Sequence, residues 1–207
     1  MKSIVGIMIL FLISGTQLVG QGFQFGAQVG LVGTKTNQYL KPEVVDFKYT
    51  GSLKASYAIN GIIGYRSESF WGITLEPGFI QKGESKKNDT DYKRSNYNYI
   101  HMPVLAELHF LRRFYIATGP EFAYLISAKA VNEGDSDNFT ENFDNRYEIS
   151  GIVGFGCSVT DNIDIGIRYN HGLTPTQKVA LTDSDGIKQA DLFIYNQYYQ
   201  VSLRFKL

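Results

Sequence analysis

Three histidines, one cysteine and two acid-rich stretches are the residues whose types point first to chemistry. His101, His109 and His171 show no metal-ligand spacing among themselves, so a zinc centre is not predicted. Cys157 stands alone, which excludes an intrachain disulfide and a thiolate-rich metal site; it reads as a small apolar filler on a strand. The stretches "VNEGDSDNFTEN" (131–142) and "LTDSDGIKQAD" (181–191) cluster Asp with Gly, as calcium loops do. Neither follows the twelve-residue order of calcium ligands, and both read as solvated loop acid. Ser184, His171 and Asp183 would supply a nucleophile, a base and an orienting carboxylate if they met, but no strand–turn–helix elbow accompanies them. "GFGCSVTDN" carries a short glycine pattern inside a strand rather than before a helix, which is no phosphate cradle. The expectation is no enzyme, no cofactor and no metal.

A second group of chemically capable residues sits in a stranger context. In "FWGITLEPGFIQKG" (70–83), Trp71, Ile73, Leu75, Pro77 and Phe79 share one face of an alternating strand. The other face holds Gly72, Thr74, Glu76 and Gly78, so a carboxylate stands mid-strand among small residues. Such a charge needs a partner or water wherever the fold buries it.

The elements that would position these charges are strands. After residue 22 the period of two recurs in eight segments: 23–34, 56–67, 70–82, 97–110, 114–127, 146–160, 163–172 and 195–205. Several are long for a soluble sheet. Their connections alternate between very short ones (around Glu68, "LRR", "DN") and long ones (about 35–55, 83–96, 128–145 and 173–194). An antiparallel meander puts the short connections at one end and the long ones at the other. That asymmetry predicts an all-β, eight-stranded, up-and-down transmembrane β-barrel with short periplasmic turns and long external loops.

The faces agree with that reading. One face runs through Phe23, Phe25, Ala27, Val29 and Leu31, then Ile59 and Ile63, Ile73 and Leu75, Ile100 to Leu108 at alternate positions, Ile116, Phe122 and Ile126, Ile149, Val153 and Phe155, Ile163 to Ile167, and Val201 and Leu203. It carries no charge, as contact with hydrocarbon requires. Aromatic residues gather toward the strand ends, with Tyr65, Trp71, Phe110, Phe114 and Phe205 near the short turns and Tyr57, Phe79, Tyr124, Tyr147, Tyr169 and Tyr195 near the long loops. Two such rings mark headgroup levels. The opposite face is predicted to hold a structural charge cluster of Glu76, Glu107, Glu121, Glu148, Arg66, Arg168 and Arg204, in an interior that eight strands leave just wide enough to fill. Glu76 and Glu121 are expected to pair with Arg168 or another interior Arg. A soluble eight-stranded cup would instead turn its bulky face inward, but the polar face is too rich in Gly to coat a solvent surface well. Pro77, Pro103 and Pro120 are expected to interrupt the ladders.

Lys2, an apolar run from Ile4 to Ile13 and the small or polar residues after it predict a secretory signal peptide over residues 1–20 and a barrel domain over 21–207. The run is too short to span a bilayer as a helix. A formal net charge of zero gives no case for a nucleic-acid partner.

"GITLEPGFIQKG", "YNYIHMPVLAELHF", "FYIATGPEFAYLIS" and "GIVGFGCSVTDNIDIGIRYNHGL", in that order and followed by a terminal aromatic strand, resemble the PorT-like outer-membrane β-barrel domain family of Gram-negative envelopes. The chain ends "RFKL", with Phe205 third from the end where many such barrels finish on an aromatic residue. The resemblance implies an outer-membrane location, contact with outer-membrane lipid and insertion by the barrel-assembly machinery. Many members look like general outer-membrane proteins, and the namesake acts in type IX protein secretion. The expected role is therefore a filled structural or interaction barrel working through its loops. The alternatives are an accessory of a secretion apparatus, in contact with its subunits, and a small-solute porin.

Overall fold

The computed structural model describes residues 22–41, 48–87, 92–111, 113–132, 135–143, 145–182 and 188–207. The expected signal peptide, Asp183 and Ser184 lie outside the described residues. The strands are β1 (Phe23–Lys41), β2 (Lys48–Thr50), β3 (Lys54–Arg66), β4 (Trp71–Leu75), β5 (Gly78–Lys87), β6 (Tyr92–Phe110), β7 (Phe114–Asn132), β8 (Asp135–Asn138), β9 (Tyr147–Ser158), β10 (Ile163–Gly172), β11 (Gln177–Thr182) and β12 (Lys188–Lys206).

All pair antiparallel in one sheet, and β12 returns to β1 from Gly26↔Lys206 to Lys41↔Asp191. β4 and β5 keep one register against β6 (Leu75↔Val104, Gly78↔His101) and act as a single barrel strand. The ring is therefore eight strands: β1, β3, β4/β5, β6, β7, β9, β10 and β12. Closure leaves no free edge around the body of the barrel.

The period of two decides which way each side chain faces. Leu31 is 76% exposed, Ile59 54%, Ile100 58%, Ile167 57% and Val201 55%, and exposed apolar residues of this kind recur on every strand of the ring. A soluble monomer rarely exposes so continuous an apolar surface, whereas a barrel in lipid requires it. At the short-turn end the rings of Phe23, Tyr65 and Trp71 touch in sequence, and Phe110, Phe114 and Phe155 form a second group. At the far end Tyr57–Phe79, Tyr124–Tyr147 and Tyr169–Tyr199 meet in pairs.

Two features differ from the sequence expectation. The segments expected as long loops are mostly ribbon: β5 and β6 stay paired out to Lys87↔Tyr92, and β1 and β12 out to Lys41↔Asp191. Their residues are too polar to register as half-buried strands, yet the ladder propagates through them because each further pair satisfies two backbone groups. β8 and β11 continue the wall beyond β9 and β10, by pairing with β7 and β12.

The second concerns the interior, which is not uniformly polar. Val32, Ile80, Tyr97, Tyr99, Leu125 and Tyr198 form one buried cluster, and Leu105, Tyr115 and Ile152 another.

The prolines interrupt the ladders. Glu76 and Pro77 separate β4 from β5, while the Gly61 N–H still donates to the Pro77 carbonyl (2.8 Å) and the Glu76 N–H to Pro103 O (3.0 Å). Between β6 and β7, pairing passes from Pro103↔Glu121 to Ala106↔Thr118, leaving Gly119 and Pro120 unpaired on that side. A register shift between Asn98 and Tyr99 adds one residue to β7 at Ile126.

Candidate functional site: the charged barrel interior

The interior charges arise from ordinary alternation. Glu76, Glu107, Glu121, Glu148, Arg168 and Arg204 each occupy an inward position and are almost wholly buried. With solvent excluded, each must be answered by opposite charge or a hydrogen bond. Closure supplies these partners from across the lumen.

The layer nearer the short turns is built on Glu76, in the break between β4 and β5. Arg168 of β10 grips its carboxylate with both terminal nitrogens, Nη2 lying 2.7 Å from Oε1, and Arg204 of β12 donates to the same Oε1 at 2.8 Å. Arg204 also donates to Glu107 of β6 at 2.8 Å, and His109 lies 3.2 Å from the other Glu107 oxygen. Gln28 bridges Glu76 and Arg168. A forked guanidinium matches a carboxylate edge with two parallel bonds, which fixes geometry as well as charge.

The next layer is built on Lys82 of β5, a residue absent from the sequence-derived cluster. Its ammonium lies 2.7 Å from both Glu121 Oε1 on β7 and Glu148 Oε1 on β9, with its side chain fully buried. The rings of Tyr99 and Tyr198 stand 5.0 and 5.4 Å from the same nitrogen. The Tyr198 hydroxyl donates to Glu121 (2.5 Å), and the Asn196 amide to Glu148 (2.7 Å). His101 joins the layers: Nδ1 is 3.0 Å from Glu121 Oε2, and Nε2 is 2.8 Å from the Asn60 amide nitrogen. With that amide donating, Nε2 is an acceptor and Nδ1 carries the proton toward Glu121.

Above these layers the lumen is capped. Phe139 and Phe143 flank a short 3₁₀ turn at Thr140–Asn142, stack on each other and meet inward-facing Tyr97 edge-on. The Thr140 hydroxyl accepts from the Ala128 N–H at 2.8 Å and holds the turn to β7. Among the described residues, charge layers and aromatic rings fill the axis at successive levels. Their arrangement cross-links distant strands.

Arg66 differs from its expected placement in this cluster. As the last residue of β3 it faces the short-turn mouth, and its side chain has no hydrogen bond or ion pair among the described residues. Its guanidinium is one strand end away from the Glu76 layer, so inward parity alone does not bring it to a carboxylate. Asp164, inward on β10, pairs instead with Lys206 at 2.7 Å. Lys82 was within reach of the sequence: Gly78, Ile80 and Lys82 continue the inward period that begins at Gly72. Tyr99, Asn170, Asn196 and Tyr198 are also buried at inward positions. The remaining histidine, His171, is partly exposed at the end of β10 beside Tyr169. Glu76, Glu107, Glu121, Glu148, Arg168 and Arg204 thus meet in two linked layers, with Lys82 as the added cation.

Residues 16–178 match the family model described as outer membrane protein beta-barrel domain. No curated protein sequence matches the chain. Among solved structures it is similar to Neisserial surface protein A, at 12% identity and a TM-score of 0.52 over 90% of this chain and all of that one. Similarity also extends to Ail, the attachment invasion locus protein of Yersinia pestis (12% identity, TM-score 0.48, 91% and 100% covered), and to the outer membrane protein OprG from Pseudomonas aeruginosa (11%, 0.42, 90% and 98%). At such identities the likeness concerns the fold alone.

Proposed function

The chain belongs to the outer membrane protein β-barrel domain family, and we propose that it works there as a closed interaction barrel, exported by its N-terminal segment and acting through the ribbons at its outer end. The observation that carries this reading is the pair of charge layers bonded across the lumen, Arg168–Glu76–Arg204 and Glu121–Lys82–Glu148. Buried ion pairs across the axis, with Phe139 and Phe143 above them, support a filled lumen rather than an open solute path among the described residues.

The ribbons supply what a partner would touch. Val179 and Leu181 are exposed on β11 beyond the outer aromatic ring, near Lys178 and Lys188. Exposed apolar side chains bordered by charged ones give such a ribbon a surface that a partner can bury. The barrel body then serves as a rigid mount for those ribbons.

The test is a gentle-detergent pull-down of the tagged full chain from its own envelope, run beside a variant whose β11–β12 ribbon is shortened. A partner lost on shortening, with no export subunits recovered, is the expected result. Recurrent secretion-apparatus subunits that survive shortening would move the chain to the accessory role. A steady single-channel current in a planar bilayer would return the porin reading.

A further inference from the structure

At the short-turn mouth the barrel floor holds a half-open, mostly polar cleft of about 400 Å³. Three cations reach it from three different hairpin ends: Arg66 from β3, Arg113 from the β6–β7 turn and Lys206 from β12. Backbone bonds hold those ends in place. The Arg66 N–H donates to Gly22 O (2.7 Å), the Ser158 N–H to Arg113 O (2.7 Å) and the Lys206 N–H to Asn162 O (2.8 Å).

The charge at this mouth is not balanced. The Lys206 ammonium is taken by Asp164 at 2.7 Å. Arg66 and Arg113 have no side-chain hydrogen bond or ion pair among the described residues, and Asp161 is the one carboxylate lining the cavity. In the barrel interior Arg168 and Arg204 are each answered by carboxylate oxygens, whereas half-buried Arg66 and exposed Arg113 are not. Two guanidinium groups lining one small polar cleft form an incomplete anion site.

We propose that this floor binds a phosphate group, clasped between Arg66 and Arg113. Two forks approaching from separate strand ends can each take two oxygens of one tetrahedral anion, which a phosphate presents with charge to match both. The cavity size suits such a group with a small substituent. Tyr65 directly precedes Arg66 and Phe110 lies three residues before Arg113, so the cleft sits at the strand ends that carry the short-turn aromatic ring. A phospholipid headgroup of the adjoining leaflet and a soluble phosphate both present that chemistry there.

The experiment uses the full chain in non-ionic detergent, titrated calorimetrically with inorganic phosphate, and native mass spectrometry of protein extracted from its own envelope. Arg66→Gln with Arg113→Gln should weaken phosphate binding by tenfold or more, on the order of what two lost charge-assisted bonds produce. Each single substitution should give a smaller loss, and these serve if the double variant fails to show heat-modifiable migration on a gel. Retention of a phosphodiester lipid by the wild type and not by the variants identifies the lipid as the source. Phosphate binding without retained lipid identifies a soluble phosphate. Equal phosphate affinity and equal lipid retention in wild type and variants would overturn the proposal. So would capture of an acidic peptide that phosphate fails to displace.

Discussion

Lys82 Nζ lies 2.7 Å from Glu121 Oε1, both side chains wholly out of solvent, and the same nitrogen lies 2.7 Å from Glu148. Replacing Lys82 with Met fills its volume but leaves two buried carboxylates facing each other. Removal of one partner from such a group costs about 3–5 kcal/mol. Unfolding in denaturant from detergent micelles should show a loss of that order. Adding Glu148→Gln to Lys82→Met should recover part of it, because the two residues act as a unit. A double variant no better than the single would mean that Glu148 is satisfied by Asn196 alone.

Glu76 answers two guanidinium groups at once, so the sign of its replacement matters more than its size. Gln in its place keeps two acceptor lone pairs for Arg168 and Arg204, while Arg puts a third cation into one layer. Glu76→Arg should therefore abolish heat-modifiable migration, and Glu76→Gln should lower the unfolding midpoint without abolishing it. Indistinguishable behaviour of the two variants would make the pairing energetically idle.

Gly119 and Gly61 form a matched test of packing. A Cβ on Gly119 would lie 2.0 Å from Val104 O, a backbone atom that cannot swing aside; a Cβ on outward Gly61 would meet nothing closer than 3.7 Å. Gly119→Ala should cost at least the ~1–3 kcal/mol of an overpacked core and spread the β6–β7 seam beside Pro120. Gly61→Ala should be silent in the same unfolding assay.

Trp71 is the chain's single tryptophan and lies in the aromatic ring of the short-turn end, 39% exposed and 5.8 Å from Tyr65. Its fluorescence reports that depth without substitution. In vesicles, lipid brominated near the headgroup should quench it more strongly than lipid brominated near the chain terminus. Stronger quenching from the deep label would displace the apolar band along the barrel.

What the sequence determined by itself was the wall. Alternation from Phe23 to Leu31 and from Ile163 to Ile167 assigns each side chain to lipid or lumen, because successive residues of a strand must point to opposite faces. The strict exchange of short and long connections then orders the eight strands of the ring as neighbours. Strand ends were less legible, since Lys86, Lys87, Tyr92 and Lys93 pair through backbone groups that no side-chain pattern announces. Tertiary structure alone decided the partners. Glu76 is 92 residues from Arg168 and 128 from Arg204, and only strand stagger and closure bring them to one level of the lumen. The same closure places Lys82 between Glu121 and Glu148 and leaves Arg66 at the mouth. Parity is a local property of the chain, whereas the height at which two inward charges meet depends on the register of every strand between them.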